Sequence, residues 1–149
     1  MIDLVLAILH HLLVFALVAI LATELATVRP GISANQVRRI GSIDAAYGAL
    51  AGLIVVVGFG RVFLGAKGSE FFLTNPWFWA KIAAFLVVGL LSIPPTFRFI
   101  SWRTRLKLDP NFQPGDDEVR AARQFMHWEA AVLVLVPIFA AAMVRPYAL

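Results

Sequence analysis

The 149-residue sequence contains no cysteine, and this absence excludes several kinds of chemistry. Disulfide bonds, thiolate metal sites and cysteine nucleophiles are all ruled out. Charged residues are also scarce, at 15% of the chain, whereas hydrophobic residues reach 60% against roughly 45–50% in soluble domains. A soluble protein of this size has too little interior to bury so much apolar surface. The composition therefore predicts that lipid surrounds most of these side chains.

Negative charge is in short supply, since 9 acidic residues face 13 basic ones and the net charge is +4. A basic balance can indicate nucleic-acid binding, but most of these basic residues lie in short loops beside apolar stretches. That distribution is typical of membrane topology and of contact with anionic lipid. We therefore expect the lipid bilayer as a partner and no nucleic acid.

Four apolar stretches approach the length that crosses a bilayer, about 20 helical residues for ~30 Å of hydrocarbon. They cover residues 3–28, 44–64, 76–97 and 125–144. The sequence therefore predicts an all-α fold, with residues 1–149 forming one integral membrane four-helix bundle. Residues 116–118 are acidic and follow a Pro-Gly turn, which predicts that the last helix begins in water before it enters the membrane.

The basic residues predict an orientation, because cytoplasmic loops are enriched in arginine and lysine. Loops 29–43 and 98–124 carry 9 of the 13 basic residues. The opposite side carries only Arg61, Lys67 and Arg145. We therefore expect both termini on the non-cytoplasmic side of the membrane. Trp102 and Trp128, near the cytoplasmic ends of their spans, are predicted to lie at the membrane interface.

Several ionisable side chains fall within the apolar stretches, where such groups are costly and often functional. At a rise of about 1.5 Å per residue, His10 and Lys81 lie at similar depth near the non-cytoplasmic side. Arg61 completes this polar layer. Glu24 lies about 21 Å deeper than His10, near the cytoplasmic side. The residues predicted around this second layer are Glu24, His127 and Glu129.

Angular positions indicate which of these groups face the interior of the bundle. At about 100° per residue, His10 and Glu24 share one face of the first helix, and His11 points away from it. His11 is therefore the weaker candidate of the two histidines. Tyr47 shares a face with Arg61 on the second helix and is a further candidate for a buried polar group.

His127 and Glu129 are not expected to face the same way. They lie two positions apart on one helix, so their side chains diverge by about 200° and cannot both face the interior of the bundle. One of them is therefore predicted to meet a neighbouring molecule, which suggests a homodimer. His127 also differs from His10 by roughly 10 Å in depth, so the two are not expected to ligate one haem within a chain.

Three interpretations of His10 and Lys81 follow from these positions. Both side chains can make polar contacts between helices or extend towards the lipid headgroups. They can instead line a ligand site, with His10 as a ligand or proton donor and Lys81 as the cation for an anionic ligand. The third interpretation is an ion or proton relay along the face that carries His10 and Glu24.

Short motifs resemble the HemJ-type protoporphyrinogen oxidases, which are small four-helix bacterial membrane proteins. Residues 7–10, Ala-Ile-Leu-His, are similar to an opening segment whose histidine is functionally important. Residues 77–81 resemble a Trp-x-x-Ala-Lys segment with an essential lysine. Glu129 and the Arg-Pro-Tyr of residues 145–147 are similar to the start and end of the last helix. The sequence departs from that family at Trp128, where the family has asparagine.

The sequence is more similar still to an uncharacterised bacterial family of predicted four-span membrane proteins, through residues 80–81 and 92–95. These resemblances imply a membrane redox protein that binds haem b or porphyrin, with porphyrinogen oxidation or electron transfer to quinone as its activity. His10 and Lys81 would then be catalytic and His10 would ligate the haem iron. The cofactor-binding residues would be His10, Arg61, Lys81 and His127. The alternatives are a non-enzymatic membrane subunit or assembly factor and, third, a small transporter.

Overall fold

The computed structural model describes residues 2–65 and 68–144 as helices joined by short loops, with no strand in those ranges. The helices are α1 (Ile2–Thr27), α2 (Ala34–Leu64), α3 (Gly68–Leu73), α4 (Pro76–Leu108) and α5 (Asp116–Val144). All except the short α3 are long and apolar enough to cross a membrane. The prediction of an all-α membrane four-helix bundle is therefore confirmed. The orientation of its termini relative to the cytoplasm stays a prediction.

The long helices pack mainly as two pairs, α1 with α2 and α4 with α5. Contacts between α2 and α4 join the pairs, whereas α1 and α5 touch each other over only a small area. The start of α1 and the end of α5 lie at the same end of the bundle, called here the terminal end. The opposite end, with loops 28–33 and 109–115, is called the loop end.

At the loop end, the helices continue beyond the apolar stretches predicted from the sequence. α2 begins at Ala34 rather than at residue 44, and α4 runs to Leu108 rather than to residue 97. α5 begins at Asp116, which agrees with the predicted start of the last helix before the membrane. These extensions enclose a cluster of buried side chains, the loop-end core. It comprises Val28, Ile32, Val37, Ile40, Phe99, Trp102, Leu106, Val119, Ala122 and Met126.

Trp102 lies inside this loop-end core, so the prediction that it lies at the membrane interface is wrong. Its side chain is 1% exposed, and its indole N–H donates a 3.0 Å hydrogen bond to Oε2 of Glu118. The physical reason is that α4 does not end where its apolar stretch ends. The extended helix turns Trp102 towards α5, which supplies both apolar neighbours and a carboxylate acceptor.

Local capping residues explain where α2 and α4 begin. The Ser33 hydroxyl accepts a hydrogen bond from the Gln36 backbone N–H, and the Gln36 side chain accepts one from the Ser33 N–H. This reciprocal pair is a capping box, which satisfies N–H groups that lack intrahelical partners. At α4, Asn75 accepts from the Trp77 N–H, and Pro76 occupies the first helical position, where its missing N–H is harmless.

Arg123 of α5 connects that helix to the end of α1. Its Nη1 atom donates hydrogen bonds to the carbonyl oxygens of Leu25, at 2.6 Å, and Val28, at 2.5 Å. Carbonyl groups at a helix C-terminus lack intrahelical donors, and a cation there also meets the negative end of the helix dipole. Arg123 therefore secures the one pair of neighbouring long helices that have little other contact.

We expect Arg123→Gln to lower the free energy of unfolding by about 1.5–3 kcal/mol, the usual range for hydrogen bonds to a charged group. Circular dichroism during chemical unfolding in mild detergent measures this loss. Arg120→Gln is the matched control, because exposed Arg120 pairs only with Asp117 on the same helix and such pairs contribute little. Equal losses in the two variants would contradict the role assigned to Arg123.

Candidate functional site

The structure brings His10 of α1 and Lys81 of α4 to the same cavity, called here the His10–Lys81 pocket. The cavity has a volume of about 70 Å³ and lies between all four long helices in the half of the bundle nearer the terminal end. Its other lining residues are all apolar, Leu17, Ile54 and Phe85 among them. The pocket is therefore an apolar chamber with two polar side chains in its wall.

Gly58 of α2 faces the His10 ring in the wall of the pocket. A Cβ atom added to Gly58 would lie 3.4 Å from Cε1 of that ring, which is ordinary van der Waals contact. Nδ1 of His10 is buried and has no hydrogen-bond partner among the described residues. His11 is exposed instead, with its Nδ1 2.6 Å from the carbonyl oxygen of Ala7. Of the two histidines, His10 is the one that lines the pocket.

Cationic side chains surround the His10 ring without an acidic partner. Nζ of Lys81 lies 5.2 Å from the centroid of the Phe78 ring, a cation–π contact. Arg61 of α2 is close enough to act electrostatically on both His10 and Lys81, and its buried Nε has no hydrogen-bond partner among the described residues. Throughout residues 2–65 and 68–144, no carboxylate lies within ion-pair distance of these three side chains.

A second polar group, the acidic layer, lies nearer the loop end and draws its carboxyl groups from three helices. Glu24 of α1 is 3% exposed and Glu129 of α5 is 2% exposed. Asp44 of α2 accepts a 2.8 Å hydrogen bond from the Thr96 hydroxyl. The buried Tyr47 hydroxyl faces Glu129, yet neither it nor Oε1 of either glutamate has a hydrogen-bond partner among the described residues.

Sequence reasoning missed Asp44 and Thr96 as members of the acidic layer. The predicted second span begins at residue 44, and a charged residue is common at the end of a span. Because α2 begins at Ala34, Asp44 instead lies well inside the helix and close to Glu24 and Glu129. The capping box at Ser33 was the signal in the sequence that could have moved the start of α2 and drawn attention to Asp44.

The acidic layer does not form a metal centre in this conformation. Over the described ranges, no group of three or more histidine, aspartate or glutamate side chains is arranged to hold a metal ion. Its carboxyl groups approach one another closely enough to interact electrostatically, but they do not converge on one point. What the layer provides is two glutamates and a tyrosine in the interior of a membrane bundle, each with a buried oxygen that has no hydrogen-bond partner among the described residues.

His127 belongs to neither polar group. Its side chain is exposed on the surface of α5, and its Nδ1 lies 2.6 Å from the carbonyl oxygen of Arg123. Glu129 points the other way, into the bundle, as the spacing of the two residues requires. The structure therefore does not bring His127 to the His10–Lys81 pocket within one chain.

An apolar layer separates the two polar groups. Its buried members include Leu17, Leu21, Ile54, Val88 and Leu133, which pack together from all four long helices. Leu17, Ile54 and Leu133 also form part of the wall of the His10–Lys81 pocket. Among the described residues, the face that carries His10 and Glu24 is thus interrupted by hydrocarbon. This arrangement favours two separate sites over a continuous relay.

Comparison with known proteins gives a family but no activity. A family model with the description "Predicted membrane protein (DUF2214)" matches residues 2–148. No curated protein and no solved structure matches the chain. The similarity to HemJ-type protoporphyrinogen oxidases has no counterpart among these findings. The comparisons therefore assign no activity to the His10–Lys81 pocket or to the acidic layer.

Proposed function

We propose that this chain, which belongs to the DUF2214 family of predicted membrane proteins, binds a lipophilic ligand with an anionic group in the His10–Lys81 pocket. One observation carries the proposal: half-buried His10 and Lys81, from two helices, face a single apolar cavity, and among the described residues no carboxylate lies within ion-pair distance of them. A buried cationic group is costly unless an opposite charge or hydrogen bonds compensate it. An anionic ligand head would supply both, and the surrounding bilayer would supply the ligand.

The two pocket residues have distinct roles in this proposal. Lys81 carries a compact ammonium group with three donors, and Arg61 adds a second positive charge nearby. His10 can take a proton from the ligand head when its ring is neutral and return one when its ring is protonated. Lys81 would therefore hold the head, and His10 is the proposed acid or base.

Haem b and porphyrins fit this pocket only in part. The unpartnered His10 nitrogen suits an axial ligand, and Lys81 and Arg61 suit propionate groups. The cavity of about 70 Å³, however, holds only about two water-sized groups of ~30 Å³ each. With the helices in this arrangement, the macrocycle does not fit. The pocket accommodates a carboxylate-sized head.

We also propose a reaction and a homodimer, but neither supports the ligand site. The proposed reaction is porphyrinogen oxidation, with a membrane quinone as electron acceptor in a bacterial inner membrane, and it rests on the sequence resemblance. A homodimer is proposed through the surface of α5 that carries His127, because that imidazole is exposed. A non-enzymatic membrane subunit is the alternative that a protein without ligand affinity would favour.

A matched pair of ligands tests the proposal. In nanodiscs of zwitterionic lipid, we expect the protein to bind decanoate at least ten-fold more tightly than decanol, because only decanoate carries the negative charge. Lys81→Met should abolish this discrimination, and His10→Ala should weaken decanoate binding. Lys107→Met is the control, since Lys107 is exposed at the loop end. Calorimetric titration gives the affinities.

Two results would count against the proposal. Equal affinity for decanoate and decanol would show that the pocket does not select a negative charge. A Soret band that shifts on dithionite reduction and disappears in His10→Ala would show that the pocket opens to admit haem. The visible spectrum should therefore be recorded before and after haemin is added.

A further inference from the structure

We infer that the fissure between α1 and α5 holds the hydrocarbon tail of this ligand, which is therefore a single-chain carboxylate such as a long-chain fatty acid. The inference rests on the proposed function, because it takes the ligand head to lie at Lys81. It adds the path of the tail and the class of molecule that the whole site selects.

The fissure exists because α1 and α5 are neighbours that pack loosely. The space between them measures about 300 Å³, and every residue that lines it is apolar. Small side chains widen it on both helices, Ala22 on α1 and Ala130 on α5. Its volume corresponds to about ten groups the size of a water molecule, at ~30 Å³ each, and a methylene group is of similar size.

The fissure and the His10–Lys81 pocket adjoin each other, because Val14, Leu133 and Val136 line both cavities. Along α1, the lining residues of the two cavities run from His10 to Leu25, about 22 Å at 1.5 Å per residue. In this inference a ligand occupies both cavities, with cationic side chains at one end and only hydrocarbon along the rest.

The dimensions and charges of these two cavities favour a fatty acid over other membrane amphiphiles. A cavity of about 150 Å³ is known to bind benzene, so a pocket of about 70 Å³ is too small for a quinone ring. It also excludes a phospholipid headgroup, whereas a carboxylate fits. Lys81 and Arg61 lack acidic partners among the described residues, which favours a negative head over a neutral one.

A series of fatty acids of increasing chain length tests the inference in nanodiscs of zwitterionic lipid. We expect affinity to rise from hexanoate to palmitate in the unmodified protein, because more of the tail enters the fissure. Ala130→Leu, alone and with Ala22→Leu, should narrow the fissure and weaken palmitate binding at least ten-fold. Hexanoate binding should stay unchanged. Ala83→Leu is the control, because Ala83 is exposed on α4.

The outcomes separate the inference from the proposed function. If the double variant Ala22→Leu with Ala130→Leu binds palmitate as tightly as the unmodified protein, the tail does not lie in the fissure. The head site would survive that result. If Lys81→Met binds hexanoate and palmitate unchanged, the proposed function itself fails. Circular dichroism melting of each variant confirms that it is folded before its affinity is interpreted.

Discussion

Truncation of Trp102 to alanine is expected to lower the free energy of unfolding by about 3–5 kcal/mol, the usual cost of removing a buried aromatic side chain. Trp102 lies in the loop-end core, beyond the apolar stretch that ends at residue 97. We expect water around the bundle beyond the predicted span, so the hydrophobic effect should act there in full. Between lipid-embedded helices it contributes little, because lipid tails are as apolar as the side chains.

Trp102→Ala also removes a hydrogen bond to the Glu118 carboxylate. Glu118 accepts the indole N–H and pairs with Arg105 at 3.0 Å, so the variant removes one of its two partners. Chemical unfolding in mild detergent measures the loss. Trp128→Ala is the control, because Trp128 is 61% exposed and should change stability by only about 0.5 kcal/mol. Similar losses of unfolding free energy in the two variants would contradict the stabilising role assigned to the loop-end core.

Replacement of Glu129 by leucine is expected to raise the free energy of unfolding by about 1–3 kcal/mol, the cost of burying a polar atom without a partner. Glu129 is 2% exposed, and its Oε1 has no hydrogen-bond partner among the described residues. Leucine is similar in size and carries no polar atom, so it removes the penalty without leaving a large cavity. The gain should appear as a higher unfolding midpoint.

Two further variants show whether this gain has the cause assigned to it. Glu118→Leu should destabilise the protein, because Glu118 is paired with Arg105 and Trp102. Glu129→Gln should give no comparable gain, because it keeps a polar side chain at the buried position. A loss of stability in Glu129→Leu would show that Tyr47 or Asp44 compensates the carboxyl group. A gain would mean that Glu129 is retained for a purpose other than stability.

The loop end shows why helix boundaries were only partly predictable. The predicted spans ended where the sequence becomes polar, since apolar length is the property that a bilayer selects. The helices themselves end where capping residues end them, Ser33 for α2 being the example. The end of a membrane span is therefore not the end of the helix that contains it. Because the predicted helices ended with their spans, neither the loop-end core nor the interior position of Asp44 was predicted.

The candidate site was predictable to a similar extent. The shared depth of His10 and Lys81 follows from their positions along two antiparallel helices, which needs only the rise per residue. Their arrival at one cavity also depends on the rotation of α1 against α2, which turns His10 towards Gly58. The exposed position of His127 agrees with its spacing from Glu129, but which of the two points inward required the packing of α5.

The amino-acid sequence by itself determined that this chain is a four-helix membrane protein, and it determined that His10 and Lys81 lie at the same level of the bundle. Both properties are local, because hydrogen bonds within each helix satisfy its backbone and lipid selects its apolar length. Only the tertiary structure decided the size of the His10–Lys81 pocket, the fissure between α1 and α5 and the membership of the acidic layer. Those depend on the contacts between helices, which side chains distant in sequence settle together.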